Sequence, residues 1–225
     1  MTEEQWKSCL SPEAMLNFLT ANASPRKLRL YAIGCCRRIW SQLRDDRCRH
    51  AIEVAQRFAD GKASLAELAA AERIVASLAR IWGDIGSPIA RATFAIGGAA
   101  WATTRQFAWH AAWDAGWDAR MVARDFIPGT SWERERVFQA ELLHDLFGNP
   151  FDPVVIERDW ILANDGAVNK LAQVIYEEGR FGDLPILADA LEEAGCDHLR
   201  LLEHARARQV HYRGCWVVDA ILNHV

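Results

Sequence analysis

No run of apolar residues in this chain approaches the roughly 18–20 that a membrane-spanning helix needs, so no transmembrane segment is expected. The sequence also lacks a glycine-rich phosphate loop, a dinucleotide fingerprint, a His-Glu-x-x-His and a Gly-x-Ser-x-Gly. No two of its cysteines have Cys-x-x-Cys spacing. Together these absences remove the enzyme classes that announce themselves in sequence, and they leave no catalytic residue to nominate. The opening Met1-Thr2-Glu3-Glu4-Gln5-Trp6 is acidic and polar where a secretory signal is basic and then apolar. The expectation is a cytoplasmic chain whose six cysteines stay reduced, as buried thiols or ligands rather than disulfides.

What is present is an ordinary globular balance: 225 residues, 51% hydrophobic and 25% charged, with 26 basic and 30 acidic side chains for a net charge of −4. The charge is unevenly spread. From Arg26 to Arg57 it sums to roughly +6, and from Glu133 to Asp197 to roughly −10. The basic segment carries Arg37, Arg38, Arg44, Arg47 and Arg49, but the acidity of the whole chain argues against a nucleic-acid partner.

Helical periodicity dominates. Ser24-Pro25 is a start signal, a capping residue followed by proline, and Leu28, Tyr31, Ala32, Cys35, Ile39 and Leu43 then share one face. Asp45 caps a second stripe of Cys48, Ala51, Ile52, Ala55 and Phe58. Ser64 and Glu67 form a capping box before Leu68, Ala71, Val75 and Trp82. These three helices read as an antiparallel unit. Ser87-Pro88 opens a stretch rich in alanine and tryptophan that reads as one long helix to about Phe126, kinked or split at Gly97-Gly98. Thr130 and Glu133 predict a capping box for a helix ending at Phe147-Gly148. The rigid Asn149–Pro153 turn is the expected boundary between an N-terminal region, 1–148, and a C-terminal region, 154–225. Val154-Val155-Ile156 is the one candidate strand. Four shorter helices follow, so the whole reads as all-α with about eight helices.

Two sets of residues are candidates for function. Trp109, Trp113 and Trp117 recur every four residues and form an aromatic ridge on a helix, a surface for a protein partner or for self-association. Cys196, His198, His204, His211 and Cys215 cluster near the C-terminus. Thiolate and imidazole are zinc's preferred ligands, so Cys196, His204, His211 and Cys215 make the candidate site, with zinc or iron as the metal. His198 and His204 are six residues apart and cannot both face one ion from a continuous helix. No motif requires a cofactor. The leading expectation is a non-enzymatic helical interaction module, with a metal-binding protein or metalloenzyme as the alternative.

Several segments carry a resemblance. Cys35-Cys36-Arg37-Arg38-Ile39-Trp40, Phe147-Gly148-Asn149-Pro150-Phe151, Leu184 to Cys196 and Arg213-Gly214-Cys215-Trp216-Val217-Val218-Asp219 resemble a family of uncharacterised bacterial proteins abundant in planctomycetes. Its members similarly carry an alanine- and tryptophan-rich middle of variable length. The resemblance implies a cytoplasmic, helical, accessory protein and carries no activity, cofactor or catalytic residue with it.

Overall fold

The computed structural model describes residues 1–20, 23–81 and 97–224, with the side chains of 78–81 excepted. The chain is all-helical: the described residues form twelve α-helices and no strand. It divides into two compact units, Met1–Leu143 and His144–Val225. Trp82, Ser87-Pro88 and any bend on the N-terminal side of Gly97 lie outside the described residues.

The first unit begins with α1 (Glu3–Lys7) and α2 (Pro12–Leu19). Thr2 and Gln5 close a capping box on α1, and Ser11 caps α2 ahead of Pro12. The central element is α3 (Pro25–Arg38), in which every residue from Leu28 to Cys36 is buried. It packs on α4 (Asp46–Ala59) and on α7 (Ala108–Phe126), and α4 packs in turn on α5 (Leu65–Ile81). The expected capping box of α5 is present, with Ser64 N–H donating to Glu67 at 2.8 Å and Glu67 N–H to Ser64 Oγ at 3.2 Å. The expected α3 stripe is buried throughout, Ile39 and Leu43 included, but these two follow the helix, which gives way to a short 3-10 turn, Trp40–Gln42.

The alanine- and tryptophan-rich stretch is not one helix. Residues 97–104 form α6, and the chain breaks at residues 105–107 before α7 begins. Within the described residues the split therefore falls a full helix beyond Gly97-Gly98. Its physical cause is Arg29, buried in α3, whose guanidinium donates to the carbonyls of Thr103, Arg105 (2.8 Å) and Gln106 (3.3 Å). A cation satisfying the last carbonyls of a helix ends it. The core face of α7 is its small residues, Ala111, Ala112, Ala115, Gly116 and Ala119. Tyr31 lies so close to Gly116 that a Cβ there would sit 3.1 Å from its hydroxyl. The tryptophans flank that face instead of filling it.

The helix α8 (Trp132–Phe147) starts one residue later than expected, because its cap is Ser131, whose Oγ accepts from Arg134 N–H at 3.2 Å. Thr130 instead turns back to the carbonyls of Ala123 and Ile127 and closes α7. The division between units falls in the last turn of α8.

The second unit comprises that last turn, α9 (Arg158–Glu178), α10 (Leu184–Glu193), α11 (Leu199–Arg206) and α12 (Trp216–Leu222). Val154 and Ile156 pack against its core without forming a strand, since no strand among the described residues offers them backbone partners. The helical path of α9 is interrupted from Ala163 to Gly166, where Asn164, Asp165 and Gly166 all have positive φ. Val168, Ala172, Ile175, Leu184, Leu187, Leu191, Leu201 and Val218 make up much of the core. On α11, Leu199 is exposed and Leu201 and Leu202 are buried. The count exceeds eight because α1 and α2 form before Pro25 and because the alanine-rich stretch is divided.

Candidate metal centre

Four side chains of the second unit, Asp145, His204, His211 and Cys215, bring their ligand atoms within 4.8 Å of one another. Each comes from a different place. Asp145 projects from the last turn of α8 and His204 from the last turn of α11. His211 stands in the loop that follows, and Cys215 is the residue that opens α12. The four-residue spacing of His211 and Cys215 thus spans a loop rather than a helix face, and still places Sγ 3.8 Å from His211 Nδ1.

Asp145 is the hub. One carboxylate oxygen lies 2.6 Å from His211 Nδ1 and 3.2 Å from His204 Nε2, while the other accepts the Tyr212 backbone N–H at 2.9 Å. His204 Nε2 is also 3.3 Å from Cys215 Sγ. The tyrosine amide fixes the carboxylate, and Trp216 packs beside His204 with ring centroids 5.0 Å apart. Three of the four residues are buried, and the His204 side chain keeps 14% exposure.

Burial pushes the Asp145 carboxyl up, but its bonds to His204 and His211 and their charge outweigh this and hold it below the usual carboxylate range. Cys215 goes the other way. Burial, with the Asp145 charge beside it, pushes its thiol well above the ordinary value, and backbone hydrogen bonds from Val217 and Val218 only partly oppose this. A buried, protonated thiol is a poor nucleophile. A divalent cation reverses that balance, since a coordinating thiol is deprotonated by the ion. A tetrahedron built on zinc–ligand bonds of about 2.0–2.3 Å has edges of roughly 3.3–3.8 Å. Three separations, 3.2, 3.3 and 3.8 Å, lie close to that range, the hydrogen-bonded Asp145–His211 pair at 2.6 Å would have to open, and all four ligand atoms lie within 4.8 Å of one another.

Of the four metal ligands expected from sequence, His204, His211 and Cys215 are brought together, and Cys196 is not in the group. Cys196 lies among the apolar side chains of the unit's core. Asp145 stands in its place, and nothing local distinguishes it from the many other acidic residues between Glu133 and Asp197. His198 precedes α11 and is likewise outside the group.

The tryptophan ridge lies in the first unit. Trp109 and Trp113 stack with centroids 5.5 Å apart, and Trp109 Nε1 donates to Thr20 at 2.9 Å. Trp117 meets Trp132 edge-on at 5.2 Å and remains 49% exposed. Arginines of the basic segment are engaged locally: Arg37 stacks on Trp40, Arg38 pairs with Glu135 and Arg47 with Asp45. Cys35 and Cys36 are fully buried, and burial pushes both thiols up. No described helix is long and apolar enough to cross a membrane. No family model, curated protein or solved structure matches the chain.

Proposed function

We propose that this chain is a non-enzymatic helical protein whose C-terminal unit closes around one structural zinc ion, held by Asp145, His204, His211 and Cys215. The observation that carries the reading is the convergence of four donors from three separate elements and a loop. Carboxylate, two imidazoles and a thiol are all ordinary zinc ligands, and four protein donors complete a tetrahedron with no position left for substrate, the pattern of a structural site. Such an ion would tie α8, α11, α12 and the intervening loop together, in a unit whose α11 and α12 have only eight and seven residues. Short helices gain little from their own hydrogen bonds, and a metal cross-link compensates.

The test is elemental analysis of the full chain purified without chelator. About one zinc per chain is expected, falling to background in Cys215→Ala and Asp145→Ala and retained in Cys196→Ala. A wild-type chain that takes up no zinc when the metal is added in excess overturns the proposal, as does zinc retained by Cys215→Ala.

A second reading concerns the first unit. The exposure of Trp117, together with Phe107 at 66%, favours the ridge of Trp109, Trp113 and Trp117 as a contact surface for a second copy of the chain. Sedimentation then shows self-association that Trp117→Ala weakens. A wild-type chain that stays monomeric at high concentration overturns it.

A further inference from the structure

Beside the ridge, the first unit contains a cleft of about 540 Å³ lined by Gly98, Trp101, Trp113, Asp114, Trp117 and Asp118. Three indoles and two carboxylates around one space is an unusual composition for a groove that is only apolar. Aromatic faces attract cations through their quadrupole, and they favour diffuse organic cations over hard metal ions, which demand several oxygen ligands.

The cleft already shows this preference within the chain. Arg105 lies over Trp101, 5.1 Å from the ring centroid, and pairs with Asp114 at 2.9 Å. That contact engages one carboxylate and one indole, while Trp113 stacks on Trp109 and Trp117 has Arg120 5.6 Å from its ring centroid. Asp118 has no such counter-ion among the described residues. It sits against α6 where Gly98 has no side chain, and a Cβ at that position would collide with the carboxylate. Burial and the neighbouring Asp114 charge push the Asp118 carboxyl up to about 7, so near neutrality it is easily ionised by an arriving cation. The buried indole N–H of Trp101 also has no acceptor among the described residues.

We propose that this cleft binds an alkylammonium group of the choline type, with Trp113 and Trp117 against its methyl groups and Asp118 as its counter-ion. The inference is independent of the zinc reading, because the two sets of residues lie in different units. Two sources share this chemistry: a free quaternary amine, and a trimethylated lysine side chain on another chain. The carboxylate sets the sign of the ligand, and the tryptophans set its greasy, diffuse character. Gly98 is a positioning residue that leaves room for Asp118.

The experiment is calorimetric titration of the full chain with choline at mildly alkaline pH, against its neutral isostere 3,3-dimethylbutan-1-ol and a short peptide carrying trimethyl-lysine. Saturable binding of choline or the peptide is expected, with the isostere weaker by about tenfold, the scale of a desolvated cation–π contact plus an ion pair. Asp118→Asn should weaken the cation by a similar factor while leaving the isostere unaffected, and Trp113→Ala should weaken both. Cys215→Ala should bind as the wild type does, which separates this result from any failure of the zinc reading. Tighter binding of the peptide assigns the cation to a protein side chain, and tighter binding of choline assigns it to a free amine. Equal affinity for choline and its isostere overturns the proposal. So does unchanged binding in Asp118→Asn, confirmed folded by its melting curve, or no saturation by either cation.

Discussion

Asp118 and Asp145 are both largely buried carboxylates, and their surroundings push them in opposite directions. Asp145 faces two imidazoles and is held below its ordinary value, whereas Asp118 faces Asp114 and is raised to about 7. A group whose folded value is raised in this way destabilises the fold once it must ionise. The penalty is absent below about pH 4, grows as pH rises towards 7 and is constant above that. Asp118→Asn removes it, and the variant should be more stable than the wild type by about 1–3 kcal/mol at pH 8, a gain that shrinks towards zero near pH 4. Thermal or urea unfolding at several pH values checks this, and a variant less stable at pH 8 contradicts it. A stabilising substitution that also weakens cation binding would mark Asp118 as a residue retained for a site at a cost to the fold.

At the scale of elements, helix ends are decided by single side chains. The short α1 and α2 carry plain signals, a Thr-x-x-Gln box and a Ser-Pro step like the one before α3, and are readable from the sequence. The break between α6 and α7 is not, because the group that ends α6 is Arg29, more than seventy residues earlier. Arg29 also stacks over Phe58, and burial lowers its own value to about 10. Replacing Arg29 with Met keeps most of the volume and leaves three carbonyls at the end of α6 without their donor. The expected loss is about 1–3 kcal/mol in urea unfolding, chiefly from the buried Thr103 carbonyl left without its donor. A loss below about 0.5 kcal/mol would show that water replaces the guanidinium there.

For the whole molecule, two units with different polar interiors should respond differently to solution conditions. In the first, Asp118 and Glu135 are both raised to about 7 by burial, Glu135 despite its pairing with Arg38. That unit should lose stability as pH climbs from about 4 to 7. In the second, the depressed Asp145 carboxyl gives stability that is present above the usual carboxylate range and lost as pH falls through its lowered value. If zinc is bound as proposed, a strong chelator should lower the melting of the second unit and leave that of the first unchanged, splitting one calorimetric transition into two. A single unshifted transition after complete metal removal argues against a structural ion.

The all-helical class, the starts of α3, α4 and α5 and the buried stripes are legible in the sequence, because capping and three-to-four spacing are local properties of the chain. The sequence also placed His204, His211 and Cys215 near one another, since they lie within twelve residues. Other features depend on contacts distant in the chain. Asp145 joins the cluster across 59 residues of chain, displacing Cys196, whose small apolar-like thiol is better accommodated in the core. The same holds for α7: its periodicity shows two faces, one of tryptophan and one of alanine, without saying which is inside. Close approach to α3 requires the smaller side chains, so the alanines are buried and the tryptophans are left at the rim, where folding brings Gly98 and Trp101 of α6 to the face that carries Asp114 and Asp118.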